Sequence, residues 1–294
     1  MGNTWNNVKT VFLLVLLSGI FILIGQFVLP GLTGLIFAAI FAAAINIGSY
    51  WFSDKLALAT TGAREVSQAE EPRLHSIVDE VSAMAKLPKP RVYIIQNDSP
   101  NAFATGRNAK HAAVAATSGI MRILDDRELT AVLGHELGHI RNKDILVNAV
   151  VATVASAIMF IAMMGRWAMI FGGFGGRDRN GGGLIGIFAL LATIIFAPIA
   201  ASIIRLAISR QREYGADATG AEITHAPMSL ASALQKLEDY SRVKPMQVNP
   251  AVSHLFIVNP LGKVDFSALF STHPPIEKRI ERLNQIARQT GNFG

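Results

Sequence analysis

The chain has 294 residues, a net charge of +6, 51% hydrophobic residues and only 16% charged ones; a soluble domain carries about a quarter charged residues, so lipid must take part of this apolar surface. With no cysteine, disulfides and thiolate metal ligands are excluded, and any transition-metal site must use histidine and carboxylates. The basic residues are scattered or flank apolar runs rather than forming one patch, which suits a bilayer with anionic lipid and argues against nucleic acid as a partner.

Two nearly uncharged stretches open the chain, from about Thr10 to Val28 and from about Leu32 to Trp51, each close to the roughly 20 residues that span a hydrocarbon core. Pro30 and Gly31 punctuate the join, so residues 1–52 are predicted as a helical hairpin. A second span directly after the first argues for a retained anchor rather than a cleaved signal peptide. In the polar stretch 53–144, Leu74, Ile77, Val78, Val81 and Met84 recur at helical spacing between Glu71 and Lys86. Short strands are predicted at Arg91–Ile95 and from His111 to Thr117, separated by the turn-rich Asn97 to Asn101. Two further apolar stretches, from about Ile145 to Ile170 and from about Leu184 to Ile208, flank a glycine-rich loop between Gly172 and Gly183; Pro198 predicts a kink in the last. Residues 209–294 form a second polar stretch. The expected fold is α+β and mostly helical, one domain assembled from both polar stretches and held by four transmembrane helices.

Basic residues near the span ends set the orientation. Lys9, Lys55, Arg64, Arg141, Lys143, Arg210 and Arg212 fall on one side of an even-crossing arrangement, against Arg166, Arg177 and Arg179 on the other. The first side, which carries both polar stretches, is expected to face the cytoplasm.

The sharpest signal is His135-Glu136-Leu137-Gly138-His139, preceded by a helical pattern from Asp126 to Leu133. Residues four apart share a helix face, so both imidazoles can bind one ion while Glu136 points at a water on it. A hydrolytic metal needs a third protein ligand. Glu213 and Asp217, again four apart, offer one carboxylate to ligate and another to accept the free N–H of a ligand histidine. Two crossings separate this pair from His135, so both sets reach the same bilayer face, close to lipid. Glu136 is the expected general base, and a developing oxyanion needs a further donor, for which His273 and Arg279 are candidates. A protease also holds an extended peptide, usually on a sheet edge; Ala112 to Ser118 is the candidate strand, flanked by Asn101 to Ala104.

These motifs together, with Thr272-His273-Pro274, Arg279-Ile280 and the placement of the apolar stretches, resemble HtpX-type bacterial membrane metallopeptidases over essentially the whole chain. The resemblance implies a gluzincin-like domain, one zinc held by His135, His139 and Glu213, catalysis by Glu136, and a multi-pass inner-membrane enzyme facing the cytosol. It also implies polypeptide substrates, damaged or misassembled membrane proteins among them, often under stress. The rivals are a metal transporter or sensor and an inactive adaptor. Transport needs ionisable groups inside the spans, which offer little beyond Gln26 and Asn148, and an adaptor has no need of Glu136. Charges on both sides of the motif, from Asp125 to Glu128 and at Arg141, Lys143 and Asp144, place it in water or headgroups rather than within the bilayer.

Overall fold

The computed structural model of the protein describes residues 31–156, 159, 210–260 and 274–292, with scattered positions between 8 and 26. Gly31, at a φ of 99°, turns the chain into helix α1, Leu32–Thr60; a side chain at that position would strain the same backbone. Described positions of the preceding segment run antiparallel to α1. Phe21 meets Phe41 edge-on at 5.1 Å, and Asn46 Nδ2 donates to Ser18 Oγ at 2.7 Å. One number rises as the other falls, which is the geometry of a hairpin.

Helix α1 runs on past Trp51, so the expected boundary at residue 52 falls inside it. It bends by 68° between Leu32–Gly48 and Tyr50–Thr60. Among the described residues no single helix is long and apolar enough to cross a membrane; the two halves of α1 pass that test only together. The structure therefore does not establish four spanning helices. Of the third apolar stretch, the helix Ile145–Ser156 is described, while the glycine-rich loop, Pro198 and the fourth stretch lie outside the described residues.

After strand β1 (Arg64–Glu65) and helix α2 (Pro72–Ala85) come β2 (Arg91–Ile95), β3 (Ala102–Gly106) and β4 (Ala112–Thr117). The sheet order is β1-β2-β4-β3, with β2 parallel to β4 and β3 antiparallel to it. Side chains alternate between its two faces, as the period of two in a strand requires. Val92, Ile94, Ala104 and Val114 join one core with α2, while Tyr93, Ile95, Phe103 and Ala115 join another with Ala57 and Leu58 of α1. The short α3 (Ser118–Ile123) leads into α4 (Asp126–Arg141), and Ile145–Ser156 forms α5. The second polar stretch supplies α6 (Arg210–Thr224), α7 (Pro227–Val243) and α8 (Ile276–Thr290). Helix α4 packs on α6, α2 and α7 and also touches β3, so the two polar stretches build one core around it.

The sheet order corrects one expectation. The candidate substrate strand, β4, lies inside the sheet with both edges paired, because β2 runs parallel to it and β3 covers its far side. The edge strands are β1 and β3, and the one that touches α4 is β3, the segment expected only to flank β4.

Candidate metal centre

Helix α4 begins with a reciprocal cap: Asp125 Oδ1 accepts from the Glu128 N–H at 2.9 Å, and Glu128 Oε2 accepts from the Asp125 N–H at 3.2 Å, a motif worth on the order of 1 kcal/mol. The carboxylate of Glu128 also takes Ser232 and Lys236 from α7, which locks the register of the two helices. One turn apart on the buried half of α4, the His135 and His139 rings lie 4.8 Å between centroids.

The first turn of α6 carries Glu213, and small residues let it come close. A Cβ on Gly220 of α6 would meet the His135 backbone N at 2.7 Å; one on Gly138 of α4 would lie 3.1 Å from the Ala216 carbonyl. Only hydrogen fits at the first crossing. In consequence Glu213 Oε1 is 3.6 Å from His139 Nε2 and Glu213 Oε2 is 4.0 Å from His135 Nε2. Of the described residues, His135, His139 and Glu213 make up the one group of three possible metal ligands, their ligand atoms within 4.8 Å of one another.

The site passes a test for an ion. Tetrahedral ligands at the usual metal–nitrogen and metal–oxygen lengths sit roughly 3.4 Å apart, close to the observed spacing. His135 Nε2 is buried without a hydrogen-bond partner, a costly arrangement unless that lone pair serves an ion. Two nitrogens and one carboxylate oxygen form a ligand set that leaves a fourth position open, the catalytic rather than the structural pattern.

Each imidazole is held from behind by a carboxylate. Asp217 Oδ1 lies 2.9 Å from His135 Nδ1, and Asp144 Oδ2 lies 3.2 Å from His139 Nδ1. Both contacts place the ring proton on Nδ1 and turn Nε2 toward Glu213. Sequence reasoning reached Asp217 but missed Asp144. Its place follows from the end of α4, where Lys143 takes a left-handed φ of 60°. The Asp144 N–H bonds the His139 carbonyl at 2.9 Å, and the Lys143 N–H bonds that of Ile140 at 3.1 Å. This is a Schellman reversal built without the glycine that normally signals it.

Arg279 is fully buried on α8. Its Nε and Nη2 grip Asp217 at 2.8 and 2.7 Å, and Nη1 donates to the Ile257 carbonyl at 2.9 Å. Its Nη2 also lies 3.4 Å from His135 Nδ1, but a nitrogen that already donates to Asp217 accepts nothing, so this is proximity rather than a bond. Arg279 thus stands behind His135, away from Nε2, which corrects its expected role as an oxyanion donor. Asn101 is likewise committed elsewhere: its Nδ2 donates to the Val258 carbonyl at 2.8 Å and its Oδ1 accepts from the Val258 N–H at 3.3 Å. That amide ties β3 to the chain before α8 instead of facing a substrate. His273 lies outside the described residues.

Glu136 Oε2 accepts from the Ala104 N–H at 2.7 Å, while Oε1 is buried without a partner. Burial lifts this carboxyl to about 8 against the opposing influence of His139 and the Ala104 N–H, so without a neighbouring cation it holds a proton far more tightly than a solvated glutamate. Burial pushes His135 down to about 4 against the pull of Asp217. Burial also opposes charge on His139, but Asp144 and Glu213 outweigh it and hold the ring at about 9. A metal competes with that proton, so the ligand set is acid-sensitive.

Comparison with known proteins agrees with this geometry. The sequence description "Peptidase family M48" matches residues 68–287. The chain is 50% identical over 291 residues to "Protease HtpX homolog" of Persephonella marina, covering 98% of this chain and 99% of the relative. It is 49% identical over 285 residues to the protein of the same name from Pyrococcus furiosus, covering 97% of each, and 51% identical over 284 residues to that of Thermodesulfovibrio yellowstonii, covering 97% and 99%. The crystal structure of S. mikatae Ste24p superposes with a TM-score of 0.50 at 18% identity, covering 91% of this chain and 62% of that one, a likeness of fold. With a family match across most of its length and a His-His-Glu cluster at its centre, the chain belongs to peptidase family M48 and is a metallopeptidase.

Proposed function

We propose that this metallopeptidase is a membrane-anchored zinc endopeptidase in which His135, His139 and Glu213 hold one zinc and Glu136 is the general base. The observation that carries the assignment is the convergence of three ligand atoms within 4.8 Å beside a buried Glu136 oxygen that has no other partner. Zinc held there would supply Lewis acidity and lower the pKa of a bound water to about 7. Glu136 would accept the proton of the attacking water and deliver it to the leaving amine. Asp217 and Asp144 keep Nδ1 protonated on the two histidines, which holds both Nε2 lone pairs toward the ion. His273 remains the candidate donor to the oxyanion.

The substrate backbone is assigned to the free edge of β3. Ala104 N–H points at Glu136, away from β4, which fixes Ala102, Ala104 and Gly106 as the outward residues of that strand. The Ala102 carbonyl is used by Ile257 N–H at 3.0 Å and the Ala104 N–H by Glu136 Oε2 at 2.7 Å, so the extended peptide is assigned to the Ala104 carbonyl and the Gly106 N–H. Large exposed apolar side chains on α1, among them Leu32, Phe37, Ile40 and Phe41, support a bilayer anchor, and the basic bias of the span ends supports a cytoplasmic site. Unfolded or membrane-derived polypeptides are the proposed substrates.

The test compares purified wild type and Glu136→Gln for bound zinc and casein cleavage. The variant is expected to keep its zinc and lose at least about 100-fold in rate, the scale of a general base. Full proteolysis by the variant would refute the base, and equal loss of zinc would place Glu136 among the ligands.

A further inference from the structure

The two halves of α1 meet different surroundings. Along Leu32–Gly48 only a narrow stripe of small residues, Gly34, Ala38 and Ala42, is buried, and the rest of the helix exposes apolar side chains. Beyond the 68° bend the pattern becomes two-sided. Ser53, Asp54, Ala57 and Leu58 face the domain, whereas Trp51 is 50% exposed, Phe52 56% and Leu56 39%. This half is amphipathic in the reverse of the usual sense for a surface helix: its outer face is the apolar one.

Charge follows the same division. Asp54 turns inward and pairs with Arg91 at 2.8 Å, so within Tyr50–Thr60 the outward charged side chain is Lys55. Two cations sit over the exposed aromatics. The Arg107 guanidinium lies 4.7 Å from the Trp51 ring centroid, and Lys55 Nζ lies 5.4 Å from that of Phe52. Water on that face would leave a set of large apolar side chains exposed for no return, whereas aromatic rings flanked by cations are what the boundary between acyl chains and anionic headgroups accommodates.

The geometry points to Tyr50–Thr60 as an in-plane helix on the surface of an anionic phospholipid bilayer, with Trp51, Phe52 and Leu56 in the headgroup–acyl boundary and Lys55 and Arg107 at the phosphates. This rests on the membrane-anchored reading and adds to it a height. Arg107 directly follows Gly106, the end of the open β3 edge, and Phe103 of β3 shares a core with Ala57 and Leu58 on the inner face of this helix. The peptide-binding edge is thereby fixed at headgroup level, within reach of polypeptide segments just as they leave the bilayer.

The chain has three tryptophans, Trp5, Trp51 and Trp167, so Trp5→Phe with Trp167→Phe leaves Trp51 as the sole reporter. The full chain is reconstituted into phosphatidylcholine–phosphatidylglycerol vesicles brominated either near the headgroups or near the acyl termini. Trp51 fluorescence is expected to be quenched at least about twofold more by the shallow bromines, the depth at which interfacial helices bury their apolar face. Stronger deep quenching, or none, overturns the proposal. Adding Lys55→Gln and Arg107→Gln should red-shift Trp51 emission in the anionic vesicles and leave it unchanged in pure phosphatidylcholine; an equal response in both removes the anionic preference. Because the chain has no cysteine, a nitroxide at Leu56→Cys reads the same depth with all tryptophans intact, should the double replacement disturb folding. Phe37→Trp in a background with Trp5, Trp51 and Trp167 replaced by Phe tests the anchor itself. Deep quenching there with no shallow signal at Trp51 sinks the in-plane helix alone, and absence of quenching at both sinks the anchored reading with it.

Discussion

The Asp144 carboxylate reaches to 3.2 Å from His139 Nδ1 because Lys143, between the end of α4 and Asp144, adopts a left-handed backbone. A histidine of the proposed ligand set is thus oriented by a residue that the helix itself does not contain. Carboxylates behind a metal-bound imidazole raise its basicity and fix its tautomer. Asp144→Asn is expected to weaken zinc affinity by about 10- to 100-fold with little change in melting temperature of the metal-free protein. Competition titration with a chromogenic chelator reads it, and unchanged affinity would show that Asp144 has no such role.

Arg279 and Asp217 form a second support, fully buried and therefore sensitive to the loss of one partner. Arg279→Met strands Asp217 without its counter-charge, which costs about 3–5 kcal/mol for buried pairs. Thermal unfolding should show a fall of many degrees, and Arg279→Lys should recover only part of it, since an ammonium cannot reproduce the two-pronged grip. A variant with full stability and normal zinc binding would contradict this account.

At the α4–α6 crossing the prediction concerns a single methyl group. Gly220→Ala places a carbon where the His135 backbone already lies, and overpacking of this kind costs about 1–3 kcal/mol. Because α6 must then move away from α4, Glu213 moves with it, and zinc binding is expected to fall. Gly215→Ala is the control: its Cβ meets nothing within 4 Å, and helix propensity alone should stabilise the variant by up to about 1 kcal/mol. Similar behaviour of the two variants would show that close helix contact is not what positions Glu213.

Tyr93 carries a pH prediction away from the metal. Burial lifts its hydroxyl to about 12, reinforced by the hydrogen bond to Glu65. The folded value stands above the ordinary one of about 10, so the stability it contributes is complete below about pH 10 and disappears as pH rises through 12. Absorbance near 295 nm should show one tyrosine ionising last, and Tyr93→Phe should remove that late step. Persistence of the late step in the variant would assign it to another tyrosine.

The sequence was most legible where a local period carries the information. His135 and His139 share a face because residues four apart do so on any helix, and Arg91–Ile95 reads as a strand from its own β-branched and aromatic content. It was least legible where direction in space decides. Nothing local tells that β4 lies inside the sheet and β3 at its edge, since that depends on β2 running parallel to β4. Arg279 and Asn101 read as candidates for contact with substrate, whereas their side chains are committed to Asp217 and to Val258, because chemistry names a donor and only packing says what it touches. Asp144 escaped notice since its position depends on a left-handed lysine, and Gly220 because a missing side chain becomes informative only once its neighbour is known.

Glu213 approaches His135 and His139 from α6, which lies about 70 residues further along the chain. A polypeptide ending at residue 144 would hold both histidines, Glu136 and Asp144 but neither Glu213 nor Asp217, so under the proposed ligand set the metal centre is complete only once α6 packs on α4.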